Sequence, residues 1–144
     1  EDHVDDDGTI NTVSSSCGLE DAITKYVTLS EAEGNSGLVA GTYYLVNFPH
    51  GAILNQAKIQ CYEVGGNLNF YLHRKAFNES SNPSTTQIDS WTGSRYVATH
   101  TISDTTIDND TNMGYWFHWT AGSGSSHGVY GVSFRLSISE LRDL

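Results

Sequence analysis

Polar and apolar side chains alternate along most of this chain, most cleanly from Ala57 to Arg74, AKIQCYEVGGNLNFYLHR. On the first arm Ala57, Ile59 and Cys61 share one face, and Lys58, Gln60 and Tyr62 share the other. On the second arm Leu68, Phe70 and Leu72 point one way, and Asn69, Tyr71 and His73 the other. Successive strand side chains point to opposite faces, so each arm is expected to be a strand with one covered side. Gly65-Gly66-Asn67 between them tolerates the positive φ of a tight turn, which predicts a central β-hairpin.

The same reading places strands on either side. Upstream, an edge strand is expected near Thr9 to Val13 and a short strand over Lys25 to Leu29. Ser30 to Gly37 reads as a loop or a single helical turn capped by Ser30. Leu38 to Phe48 reads as a longer strand with Tyr44, Val46 and Phe48 on one face. It is stopped by Pro49, which lacks the N–H a central ladder needs. Downstream, Phe77 to Thr86 is a loop by composition, and Gln87–Trp91 and Tyr96–Ile102 are strands joined around Thr92-Gly93-Ser94. Ser103 to Asn112 holds a short strand at most. Gly114 to Thr120, GYWFHWT, is an aromatic strand, and Ala121 to Gly128 is a Gly/Ser hairpin loop. In Val129 to Ile138, the residues Tyr130, Val132, Phe134, Leu136 and Ile138 are expected to face one way. No window carries a helical period. Eight or nine short strands separated by turn signals predict an all-β fold, an antiparallel two-sheet β-sandwich of jelly-roll type. Residues 1–16 read as an acidic and polar N-terminal segment, and residues 17–144 as one sandwich domain.

Composition agrees: 8 Tyr, 5 Phe and 3 Trp in 144 residues favour strands, and the length suits one domain. A net charge of −10 with only 7 basic residues repels phosphate backbones and anionic lipid, which argues against nucleic-acid and membrane-surface partners. No apolar run is long enough for a spanning helix. The chain begins with Glu1, which is expected of a mature product whose signal peptide has been removed. Its two cysteines, Cys17 and Cys61, are expected to form a disulfide in an oxidising, extracellular compartment, worth about 4 kcal/mol in the chain-entropy model. The alternative is a pair of unbridged, buried thiols in a cytosolic protein.

Phe48-Pro49-His50-Gly51-Ala52-Ile53, followed by the alternating run Ala57 to Tyr62, resembles secreted bacterial β-sandwich modules with an apolar-Pro-x-Gly-Ala signature. Those modules also carry an Asp-Asn pair before an aromatic strand, as Asp108-Asn109 precedes Tyr115 to Trp119 here. The resemblance spans roughly residues 38 to 138. It implies a sandwich fold and secretion, and no activity.

Several groups are candidates for chemistry. At a free terminus Glu1, Asp2 and His3 offer an amine, two amide nitrogens and an imidazole, a set that suits Cu(II) or Ni(II). The structural reading of the same residues is an acidic tail. Asp108, Asp110 and Asn112 alternate as oxygen ligands do in a calcium loop. The glycine falls late and Trp119 stands where the closing Glu would be, so the choice lies between a sandwich-edge Ca site and an Asx-rich turn. Gly124-Ser125-Ser126-His127-Gly128 matches G-x-S-x-G, but strands are expected on both sides, without the helix a nucleophile elbow needs. No pair of carboxylates is nominated for glycoside hydrolysis. In the aromatic strand Tyr115, Phe117 and Trp119 are assigned inward and Trp116 and His118 outward, beside Tyr71 and His73 if the strands are neighbours. Together with Trp91 these outer rings form an aromatic face that suits a sugar or a subunit contact; the structural alternative is that loops cover them.

The leading expectation is a non-enzymatic, secreted structural or assembly module that self-associates or meets other surface proteins, for example as the subunit of an extracellular filament. The alternative is a carbohydrate-binding module that takes glycans on its exposed aromatics.

Overall fold

The computed structural model describes residues 22–30, 37–64, 66–121 and 126–139. They form eight strands: β1 (Ala22–Ser30), β2 (Tyr44–Val46), β3 (Ile53–Val64), β4 (Leu68–Ala76), β5 (Thr85–Gly93), β6 (Tyr96–Thr106), β7 (Asn112–Ala121) and β8 (Ser126–Ser139). The strands make two four-stranded sheets, ordered β1-β8-β3-β6 and β2-β7-β4-β5, with every pairing antiparallel. The fold is the expected all-β, two-sheet sandwich.

Each sheet turns its apolar alternation inward. Ala57, Ile59 and Cys61 from β3 and Leu68, Phe70 and Leu72 from β4 are fully buried, on the faces the sequence predicts. Phe134 on β8 joins the layers. It meets Phe48 edge-on at a centroid distance of 5.2 Å and Phe117 of the other sheet at 6.0 Å. Burial of apolar area on both inner faces is what holds a sandwich together.

The predicted central hairpin is not one. Its arms are strands with the predicted faces, but β3 pairs with β6 and β8, while β4 pairs with β5 and β7. The link at Gly66-Asn67 carries the chain from one sheet to the other. The reason is burial: paired side by side, both apolar faces would still need a cover, whereas set in opposite sheets they cover each other. The segment after β7, expected as a hairpin loop, also joins strands in different sheets.

Two further strands differ from expectation. In β8 Tyr130 is exposed and Val129 is buried. Gln60 pairs with Gly131 but Cys61 pairs with Val129, so Tyr130 is the extra residue of a β-bulge, and the alternation changes phase there. Upstream, only Tyr44–Val46 is strand. A turn at Ala40-Gly41 interrupts the longer run, and Leu38 makes an isolated bridge to Val129. Val46 and Phe48 are buried and Tyr44 half-buried, on one face as predicted.

The two segments that carry the family resemblance pack against each other. The turn at His50-Gly51 uses a positive φ of 83° at Gly51, whose N–H donates to Ile107 O at 2.8 Å. Ile107 N–H donates back to Ala52 O at 2.8 Å, and Asn109 Nδ2 donates to Phe48 O at 2.9 Å. The Pro-x-Gly-Ala and Asp-Asn motifs therefore form one interlocked corner.

Cys61 is a buried thiol whose Sγ donates to Ser94 O at 3.0 Å, and burial pushes its pKa up. Its expected partner Cys17, the strand expected near Thr9 to Val13, and the copper set Glu1, Asp2 and His3 lie outside the described residues.

Candidate functional site

The outer face of the second sheet gathers aromatic and imidazole rings from β4 and β7. Pairing of β4 with β7 sets Tyr71 opposite His118 and His73 opposite Trp116. Alternation then puts all four side chains on the outside, because Leu72, Phe117 and Trp119 take the inside. Tyr43, just before β2, joins them. Its neighbour Tyr44 packs against the core and its Oη accepts Val39 N–H at 2.6 Å, while Tyr43 stacks on His118 of the outer face.

The rings are stacked. Tyr43 lies 4.2 Å from His118 at an interplanar angle of 26°, and Tyr71 lies 4.5 Å from it at 12°. His73 sits 4.8 Å from His118 at 14°. Under these rings His118 is only 8% exposed, whereas Tyr43 is 54% exposed. Among the described residues, neither ring nitrogen of His73 nor Nδ1 of His118 has a hydrogen-bond partner. Burial pushes both imidazoles below their ordinary pKa, and the charge His73 would carry lowers His118 further. Both directions favour neutral rings, which stack without mutual repulsion.

Trp116 lies along β7 over Gly114. A methyl group built on Gly114 would stand 2.9 Å from Trp116 Cη2 and 2.9 Å from Leu45 Cδ1, so the indole lies where only glycine leaves room. Beyond it a groove of about 330 Å³ opens between Tyr43, Lys75, Thr85 and Trp116. That volume falls near the lower end of small-molecule sites, which run from about 300 to 1,000 Å³. Two aromatic walls, one ammonium and one hydroxyl are a set that can stack on a ring and hydrogen-bond its substituents.

Trp91 does not belong to this face. Its ring is in the core, 9% exposed, stacked on His100 at 4.5 Å and tilted against Phe70 at 5.9 Å. On β5 the inward phase falls on Trp91, and Ser90 and Thr92 take the outside. His100 Nε2 pairs with Asp89 Oδ2 at 2.8 Å, so Trp91, His100 and Asp89 tie β5 of one sheet to β6 of the other.

The expected oxygen ligands are partly brought together. His50, Asp108 and Asp110 each present a ligand atom within 4.8 Å of the others. His50 Nε2 lies 3.6 Å from Asp110 Oδ2. Asn112 is not in the set. Its Nδ2 donates to Asp108 O and Tyr115 Oη, and its Oδ1 accepts from Arg74 at 3.2 Å. Asp108 is itself committed: Oδ2 accepts Thr111 Oγ1 at 2.8 Å, and Oδ1 accepts Thr111 N–H at 3.1 Å and Asp110 N–H at 2.9 Å. These bonds hold its carboxyl below the usual carboxylate range. The geometry is an Asx turn closing the corner, and a cation would compete with those donors.

Sequence reasoning missed Tyr43, Lys75 and Thr85 in the groove and His50 at the corner. Two of these were within reach. If Tyr44, Val46 and Phe48 face inward, then Tyr43 faces outward, and Lys75 follows Tyr71 and His73 on the same side of β4.

In the comparisons with known proteins, no family model, curated protein or solved structure matches this chain.

Proposed function

We propose that this domain is a secreted, non-catalytic carbohydrate-binding module whose site is the outer aromatic face of the second sheet. The observation that carries the reading is the groove between Trp116 and Tyr43, with Lys75 and Thr85 beside the rings. A pyranose stacks its C–H face on such walls and offers hydroxyls to the polar groups. The strand pairs β1–β8, β2–β7, β3–β6 and β4–β5 support the finer, jelly-roll assignment, since rolling up one long hairpin yields them.

The expected result is that Trp116→Ala lowers glycan retention on an affinity column at least about tenfold, the loss of one aromatic anchor. The melting temperature should change little, because the indole is half-buried on the outer face. Unchanged retention would remove the site.

Assembly is the second reading, favoured by a separate observation. Leu45, Phe77 and Met113 are 50%, 59% and 41% exposed and line one hollow beside edge strand β2. Exposed apolar side chains grouped at a sheet edge suit a contact with a second copy. Light scattering that finds a monomer at every concentration would contradict it.

A further inference from the structure

Among the described residues Lys75 is the one charged group that lines the groove. Lys75 is half-buried, and among the described residues no carboxylate lies within 4.0 Å of its ammonium. Its cross-strand neighbours are Thr85 on β5 and Gly114 on β7, neither charged. Along the same outer face follow His73 and Tyr71, and across from them His118, again without an acid. Asp89, on β5, is taken by His100. Among the described residues no Lys or Arg pairs with a carboxylate, so Lys75 is set apart by its place beside the two rings of the groove and not by the lack of a partner.

We infer that the groove takes acidic saccharides, with the sugar carboxylate meeting Lys75 and Thr85 while the ring stacks on Trp116 and Tyr43. This rests on the carbohydrate reading above. An ammonium partly withdrawn from water between two aromatic walls attracts a carboxylate more strongly than an exposed one does. The net charge of −10 sets the size of the ligand. Long polyanions are repelled over roughly a Debye length, about 10 Å at 0.1 M salt, so the fitting ligand is a terminal or isolated acidic sugar.

The test is an array printed with glycans ending in a uronate or a sialate beside their neutral parents, read with wild type, Lys75→Gln, Lys75→Arg and Trp116→Ala. Wild type is expected to bind acid-terminated glycans and to lose about tenfold in affinity when their carboxylate is methyl-esterified. Lys75→Gln should lose the same factor on the free acids and little on the esters, and Lys75→Arg should retain binding. Hits confined to neutral glycans, or acidic hits indifferent to Lys75→Gln, would overturn the selectivity while Trp116→Ala still abolished binding. An array without hits for wild type would overturn both this inference and the carbohydrate reading.

Discussion

Truncating Phe134 to alanine is expected to cost about 3–5 kcal/mol, the range for deleting a buried aromatic ring. The ring is fully buried, and it contacts Phe48 at 5.2 Å and Phe117 at 6.0 Å. Phe134 and Phe117 belong to opposite sheets, so the deletion opens a cavity at the junction of the layers and not at a rim. Domains are stable by only about 5–15 kcal/mol, so a loss of this size takes a large share of the total. Urea denaturation measures it, with Phe77→Ala as the control. Phe77 is 59% exposed, and its change should stay within about 0.5 kcal/mol. A Phe134→Ala loss no larger than the control's would mean that the sheets do not depend on this contact.

Glu63 is expected to give a large effect of the opposite sign. It follows Ala57, Ile59 and Cys61 on the inward face of β3 and is 2% exposed. Among the described residues nothing hydrogen-bonds either carboxyl oxygen. A buried polar group without a partner loses its hydration and gains nothing in exchange. Glu63→Leu keeps a similar volume and removes that loss, and it should raise stability by about 1–3 kcal/mol. Glu63→Gln, still polar and still buried, should recover less. Denaturant midpoints of the three proteins check this, and a destabilised leucine variant would show that Glu63 has a partner in the folded protein.

Much of this fold is legible in the sequence because alternation is a local signal. Ala57-Ile59-Cys61 and Leu68-Phe70-Leu72 mark their own strands and inward faces without help from the rest of the chain. Which strand lies beside which is not local. The Gly-Gly-Asn link reads as a hairpin, but a link between sheets uses the same turn residues, and only the need to cover both apolar faces decides between them. Tyr130 shows a second limit. A bulge is defined by the partner strand, so the exchange of Val129 and Tyr130 cannot be seen along β8 alone. Trp91 shows a third, since a lone aromatic in a polar strand does not reveal which phase faces the core.

The site divides in the same way. Trp116, His118, Tyr71 and His73 could be grouped from two alternating runs once those runs were taken as neighbours, and the register of β4 with β7 makes them so. Asn112 could not be separated from Asp108 and Asp110 by spacing, because its bonds to Arg74 and Tyr115 depend on the strand it opens.

The central claim is that ligand is met on the outer face of the second sheet, and the indole N–H signals test it most directly. The protein has three tryptophans, of which Trp91 and Trp119 are buried and Trp116 borders the groove. In a glycan titration followed by NMR, the Trp116 indole resonance is predicted to shift progressively while those of Trp91 and Trp119 hold. Saturable binding that leaves the Trp116 resonance in place would contradict the account.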